Sequence, residues 1–323
     1  MIALLLCIPG LFASCELDDA RDLCCPDKAA MRYTYLPFGY ELFPTYIFNL
    51  SHYLYDNGGN YLGMVPPGSD PQYQILTLEP GEYTMVTVGN PSLGVTDLRH
   101  QERDHISAFT LTSIARLEDP MQEFFSNTDE LFWGISSFAI SEDGTAKMLR
   151  RLTRQSWLDD PLYETAMITE MYNIHCHFRI RVEWANMPPA IGEYQMELDG
   201  VSTSYSLHPE RAADGGGFMV PEGMGRGKHR IRVPLKSQEL NGAFVTLRLK
   251  NGSLPTLRIF FGENQVSPDI NLAKAFRSWG WNPDITHVQK YSILLRLNSD
   301  GSADLYPSID GIIEDWTDGG SFG

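Results

Sequence analysis

From Arg32 onward the chain consists of short runs of Tyr, Ile, Val, Phe and Thr, each broken within a few residues by Gly, Pro, Asn or Asp. β-Branched and aromatic side chains suit a pleated, half-buried surface, and the breakers supply turns, so the pattern predicts strands almost throughout. In the first half strands are expected near 32–37, 45–55, 61–64, 72–78, 83–89, 108–112, 131–140 and 147–152. In the second half they are expected near 172–184, 192–198, 202–207, 217–220, 229–235, 244–249, 257–261, 288–297 and 303–312. Asp56-Asn57-Gly58-Gly59-Asn60 is a hairpin signal, because Asn and Gly accept the positive φ that tight turns require. Helical periodicity is confined to 120–125 and 271–279, the latter stopped by Gly280 and Pro283. The expected fold class is all-β.

A chain of 323 residues exceeds what one hydrophobic core usually organises, and 43% apolar content supports folded domains. Between 155 and 171 the alternation breaks up around Trp157-Leu158-Asp159-Asp160-Pro161. Two β-sandwiches in series are therefore expected, at 31–155 and 172–323, joined by a linker over 156–171.

Residues 1–14 carry no charge and end in Ala13 and Ser14, just before Cys15. Such a run is too short to cross a bilayer as a helix but suits a secretory h-region. Phe12-Ala13-Ser14-Cys15 resembles a bacterial lipobox, and cleavage before Cys15 would leave a thiol to carry lipid. Glu16, Asp18 and Asp19 follow at once and open an acidic tether over 15–30. No later segment is apolar for long enough to span a membrane. The 25 basic and 41 acidic residues give a net charge of -16, which repels phosphate and argues against a nucleic-acid partner. Once the leader is removed and Cys15 acylated, Cys24, Cys25 and Cys176 remain. Adjacent cysteines rarely bridge each other because the ring is strained, so these three make no disulfide framework.

Few residues suggest chemistry. His175-Cys176-His177 places two imidazoles on one face of a strand, as a zinc site would, but no third ligand lies nearby in sequence. The site is rejected on ligand count, in favour of two outward histidines with Cys176 packed inward. Gly319-Gly320-Ser321-Phe322-Gly323 matches a nucleophile elbow in letters but lacks the following helix. Gly223-Met224-Gly225-Arg226-Gly227-Lys228 lacks the spacing of a phosphate loop and reads as a hairpin. Asp159-Asp160 and Asp18-Asp19 diverge in direction as sequence neighbours, so neither forms an acid–base pair. Trp279 and Trp281 could stack on sugar, although in a β-rich protein core or edge packing is the favoured account. No active site, metal or cofactor is expected, and the chain does not read as an enzyme.

The layout resembles the FimB-like fimbrial anchor and accessory lipoproteins of Bacteroidota, relatives of the fimbrillins. The resemblance runs in order through five features: Cys15 with Glu16-Leu17-Asp18-Asp19; Thr45-Tyr46-Ile47-Phe48 leading toward the Asp56–Asn60 turn; Leu131-Phe132-Trp133-Gly134; Met148-Leu149-Arg150-Arg151; and a terminal hairpin, Tyr291 to Leu297 and Asp304 to Ile312, closing on Asp315-Trp316. It implies two tandem transthyretin-like β-sandwiches held to the outer membrane by lipid on Cys15. It also implies surface export signalled by Glu16, Asp18 and Asp19, and fimbrillin-type stalk subunits as partners, joined by strand addition. Departures are the lengthened connection Ser156 to Glu170 and the seven residues, Thr317 to Gly323, that follow Trp316. A donated strand would then be the last strand of its own domain. A surface glycan-binding protein using Trp279 and Trp281 is the alternative. The lipid assignment has a direct consequence: radiolabelled palmitate should enter the wild-type protein and not Cys15→Ala, and equal labelling of both would exclude Cys15 as the acylation site.

Overall fold

The computed structural model describes residues 29–91, 96–98, 104–113, 124–125, 127–150, 167–207, 223–250, 252–253, 255–284 and 286–308. Cys15, Glu16, Asp18, Asp19, Cys24, Cys25, residues 156–166 of the predicted linker and everything after 308 lie outside this range.

The fold is all-β, with 23 strands in five sheets among the described residues. In the first half a small sheet has the order β11 (Met167–Glu170), β1 (Ala29–Thr34), β4 (Tyr73–Leu76). A larger one runs β10 (Ala146–Arg150), β9 (Phe132–Ile140), β5 (Gly81–Gly89), β2 (Leu50–Asp56), β3 (Tyr61–Val65), with β12 (Tyr172–Asn173) added to β9. Met31 and Tyr33 from the first sheet pack against Leu54, Met85, Phe132 and Phe138 from the second. In the second half one sheet runs β18 (Glu239–Leu247), β13 (His175–Trp184), β22 (Gln289–Leu297), β23 (Ala303–Pro307). Its companion runs β20 (Asn264–Gln265), β19 (Thr256–Phe261), β14 (Glu193–Val201), β17 (Gly227–Pro234), β8 (Phe124–Phe125), with β21 (Ile270–Asn271) on β19. Phe178, Ile180 and Phe244 from one sheet meet Tyr194, Met196 and Ile259 from the other.

The fifth sheet, β16 (Gly223–Met224), β15 (Ser204–Ser206), β7 (Thr110–Ser113), β6 (Thr96–Leu98), draws strands from both halves. Leu111 of β7 pairs with Tyr205 of β15. Beneath lies a third core in which Tyr53, Val86, Phe109 and Trp133 contact Tyr205, Leu207 and Leu247. The Trp133 indole N–H donates to the Leu207 carbonyl at 3.0 Å, and the Tyr205 hydroxyl donates to the Arg248 carbonyl. Phe124 of β8 pairs in parallel with Lys228 of β17, under the Arg230 guanidinium 3.8 Å from its ring centre. The two pairs of sheets thus share buried side chains as well as a connecting chain.

Three local readings are corrected. Phe43–Tyr46 is a short helix, α1, where a strand was expected from residue 45. Pro44 supplies a helical φ, and the Glu41 carboxylate accepts the N–H groups of Tyr35 and Phe43, each at 2.9 Å. Phe124–Phe125 is strand, where a helical piece was expected, because β17 offers it an edge. Met167–Glu170, placed in the linker by sequence, is β11 and pairs in parallel with β1, Met31 opposite Met167. The expected helix at 271–279 is α2 (Leu272–Ser278), capped by the Asn271 side chain accepting from the Lys274 N–H. The Asp56–Asn60 turn also forms, with the Asn60 N–H on Asp56 Oδ1 at 2.8 Å and Gly59 at φ +82°.

Trp133 is fully buried in the shared core. Trp133→Ala should therefore lower unfolding free energy by about 3–5 kcal/mol in a urea titration, and a loss below about 1 kcal/mol would contradict its place there.

Candidate functional site

β13 opens at the seam between the two halves. Its first residues, His175-Cys176-His177, carry the imidazole pair singled out by sequence. Cys176 is buried in the second core, as expected. His175 does not face outward: it is 2% exposed, with its ring edge-on to Phe132 at 5.4 Å. The chain passes directly from β12, paired to β9, into β13, so the start of β9 covers the face that alternation assigned to solvent. His175 Nδ1 lies 2.9 Å from the Leu131 carbonyl and donates to it, while Nε2 accepts from Asn173 Nδ2 at 3.0 Å. Burial, helped by the neighbouring His177, lowers the His175 pKa to about 3, which keeps the ring neutral.

His177 stands beside it, with ring centres 5.0 Å apart. Its Nε2 is 3.2 Å from Glu130 Oε1. The hydrogen bond with His177 holds the Glu130 carboxyl down at about 2, against the opposing effect of partial burial. Ligand atoms of Glu130, His175 and His177 all lie within 4.8 Å of one another. The ligand count that excluded a metal from the sequence is therefore corrected, because the fold supplies a third residue. Glu130 precedes β9, far from the histidines in sequence, and no spacing motif announces it.

Trp279 and Trp281 are half-buried and meet edge-on at 4.8 Å, and Trp281 stacks on Tyr291 at 5.1 Å. Trp281 also lines a cavity of about 330 Å³ with Phe276, Arg277, Asn282 and Pro283. The buried Arg248 donates to the carbonyls of Asn173 (3.3 Å), His287 (2.8 Å), Pro283 (3.2 Å) and Thr286. Sequence gave no sign of this role, since Arg248 reads as an ordinary polar position between Leu247 and Leu249.

Two sheet edges complete the picture. Among the described strands β23 is outermost in its sheet and pairs with β22 from Pro307 opposite Ile293 to Ala303 opposite Leu297. Leu305 packs on the second core, while Tyr306 faces out. Among the described strands β3 is outermost in the larger first-half sheet, with the Tyr61 N–H donating to the Asp104 carbonyl at 2.9 Å, and its Leu62 and Met64 are 51% and 52% exposed. Among the described residues no helix is long and apolar enough to cross a membrane.

Paired sheets, ended among the described residues by strands such as β3 and β23, define an all-β protein. The family model described as fimbrillin-A associated anchor proteins Mfa1 and Mfa2 matches residues 24–318, and the chain belongs to that family. Comparison with curated protein sequences gives no match. Among solved structures, the fimbrial anchor protein Mfa2 from Porphyromonas gingivalis shares 13% identity, with 87% of this chain and 95% of that one covered and a TM-score of 0.56. A candidate polysaccharide-binding protein from Bacteroides thetaiotaomicron shares 11% identity over 87% and 98%, at TM-score 0.62. A candidate adhesin from the same organism shares 15% over 87% and 96%, at 0.56. At these identities the likeness is one of fold.

The buried histidines set a pH dependence. His175 at about 3 and His52 at about 4 both lie below the ordinary 6.5, chiefly through burial. The unfolded chain thus takes up protons that the folded chain refuses. Stability is full above pH 6.5 and falls as pH drops toward 4, by up to about 1.4 kcal/mol per pH unit for each residue. Urea midpoints should be level above pH 6.5 and decline below it, and a flat profile down to pH 4 would contradict this.

Proposed function

We propose that this chain is a lipid-anchored fimbrial accessory subunit that attaches a surface fimbria to the outer membrane and limits or nucleates its assembly. The match of residues 24–318 to the anchor family carries this reading. Cys15 would bear the lipid, and Glu16, Asp18 and Asp19 would direct the protein to the outer face. The two pairs of sheets would act as two transthyretin-like sandwiches, with Met167–Glu170 belonging to the first.

The partner would be a fimbrillin-type stalk or accessory subunit. An extended segment can join an open sheet edge through main-chain hydrogen bonds, with alternate apolar side chains giving specificity. β3, with Leu62 and Met64 half-exposed, suits the acceptor role, and β23, paired on one side to β22, suits exchange. A glycan-binding role is the second reading, favoured by the cavity beside Trp281 and by the fold shared with a candidate polysaccharide-binding protein.

Affinity purification of the full chain from the native envelope tests the first reading: a fimbrillin-type subunit should co-purify. Lysines at an edge discourage pairing, so the double variant Leu62→Lys, Met64→Lys should keep its fold and lose most of that partner. Recovery of no fimbrial subunit, together with sugar-selective binding on a glycan array, would favour the second reading.

A further inference from the structure

We propose that Glu130, His175 and His177 form a binding site for a divalent transition-metal ion of the zinc class, which clips the two halves of the chain together. Two imidazoles and one carboxylate are a ligand set that zinc accepts, with a fourth position left for water. The three ligand atoms already lie within 4.8 Å of one another without an ion. A tetrahedral ion with bonds of about 2 Å to nitrogen and oxygen would draw them together by a small rotation of each side chain.

The surroundings are those of a metal ligand shell. A histidine ligand usually donates its second ring N–H to a carbonyl or carboxylate, which fixes its tautomer and aims the other nitrogen at the ion. His175 Nδ1 donates to the Leu131 carbonyl, leaving the Nε2 lone pair for coordination. Nε2 now accepts the Asn173 amide at 3.0 Å, and an ion would take that place. Asn173 keeps its other bond, from the His175 N–H to its Oδ1 at 3.2 Å. On the other side His177 Nε2 lies 3.2 Å from Glu130 Oε1. The Glu130 side chain is 55% exposed and that of His177 22%, which gives the ion a path from solvent to the buried His175. Lys290 lies opposite His177 in the register of β22 and opposes a cation, with its ammonium 5.8 Å from the Tyr46 ring centre.

Position gives the site its consequence. Glu130 leads into β9 of the first half, whereas His175 and His177 begin β13 of the second. An ion held by all three would cross-link the sheets over the seam.

The test uses the full chain, stripped with chelator and titrated with Zn²⁺ against a chromophoric competitor, with Co²⁺ visible spectra as a second readout. One ion per chain should bind at micromolar or lower concentration, with tetrahedral cobalt bands and a raised melting temperature. Loss of an outer-shell partner already costs about 10–100-fold, so Glu130→Gln and His177→Asn should each weaken binding by more than about 100-fold. Both side chains are partly exposed, so the metal-free variants should melt near wild type, whereas the buried His175 is left intact to avoid unfolding. Wild-type affinity in both variants would overturn the site, as would no stoichiometric zinc in the wild type. Binding lost only in Cys24→Ser, Cys25→Ser would assign the ion to those thiols and overturn it equally.

Discussion

The packing of Trp133, Phe109, Tyr205 and Leu207 into one core is the constraint on which the architecture rests. Without it the two halves would be joined only by the connecting chain and by the pairings β15–β7, β17–β8 and β12–β9. Trp133 fills the space and donates its indole N–H to Leu207, so the contact is fixed in direction as well as area. The same strand explains the Leu131-Phe132-Trp133-Gly134 motif residue by residue. Leu131 orients His175 through its carbonyl, Phe132 faces the first core and the His175 ring, and Trp133 faces the shared core. At Gly134 a Cβ would meet Met171 Sδ at 2.8 Å and Thr169 Cγ2 at 2.9 Å, so β11 could not approach β9 over a larger residue.

Polar groups at the seam follow from that packing. Arg248 is buried just after β18, and four carbonyls satisfy its guanidinium in place of a carboxylate. His175 is buried for the same reason and stays neutral. Glu130 and His177 sit at the solvent rim of the seam, 3.2 Å apart.

Much of the fold was legible in the sequence because strand and turn signals are local. The Asp56–Asn60 hairpin, the α2 helix with its Asn271 cap and the inward Cys176 all depend on a few adjacent residues. The misreadings have a common cause. Residues 43–46 and 124–125 are too short to show a period, and partners elsewhere decided them: Glu41 for the first and β17 for the second. Met167–Glu170 read as linker because its pairing partner, β1, lies at the opposite end of the first half.

The sequence by itself determined an all-β chain and the alternation that builds its two main cores. Those features are written in neighbouring residues, whose period and chemistry need no distant partner. Tertiary structure alone decided that the two halves share a third core, that His175 is buried, and that Glu130 joins the histidines. Each of these depends on residues separated by long stretches of chain, brought together only when apolar faces from both halves leave water at the same seam.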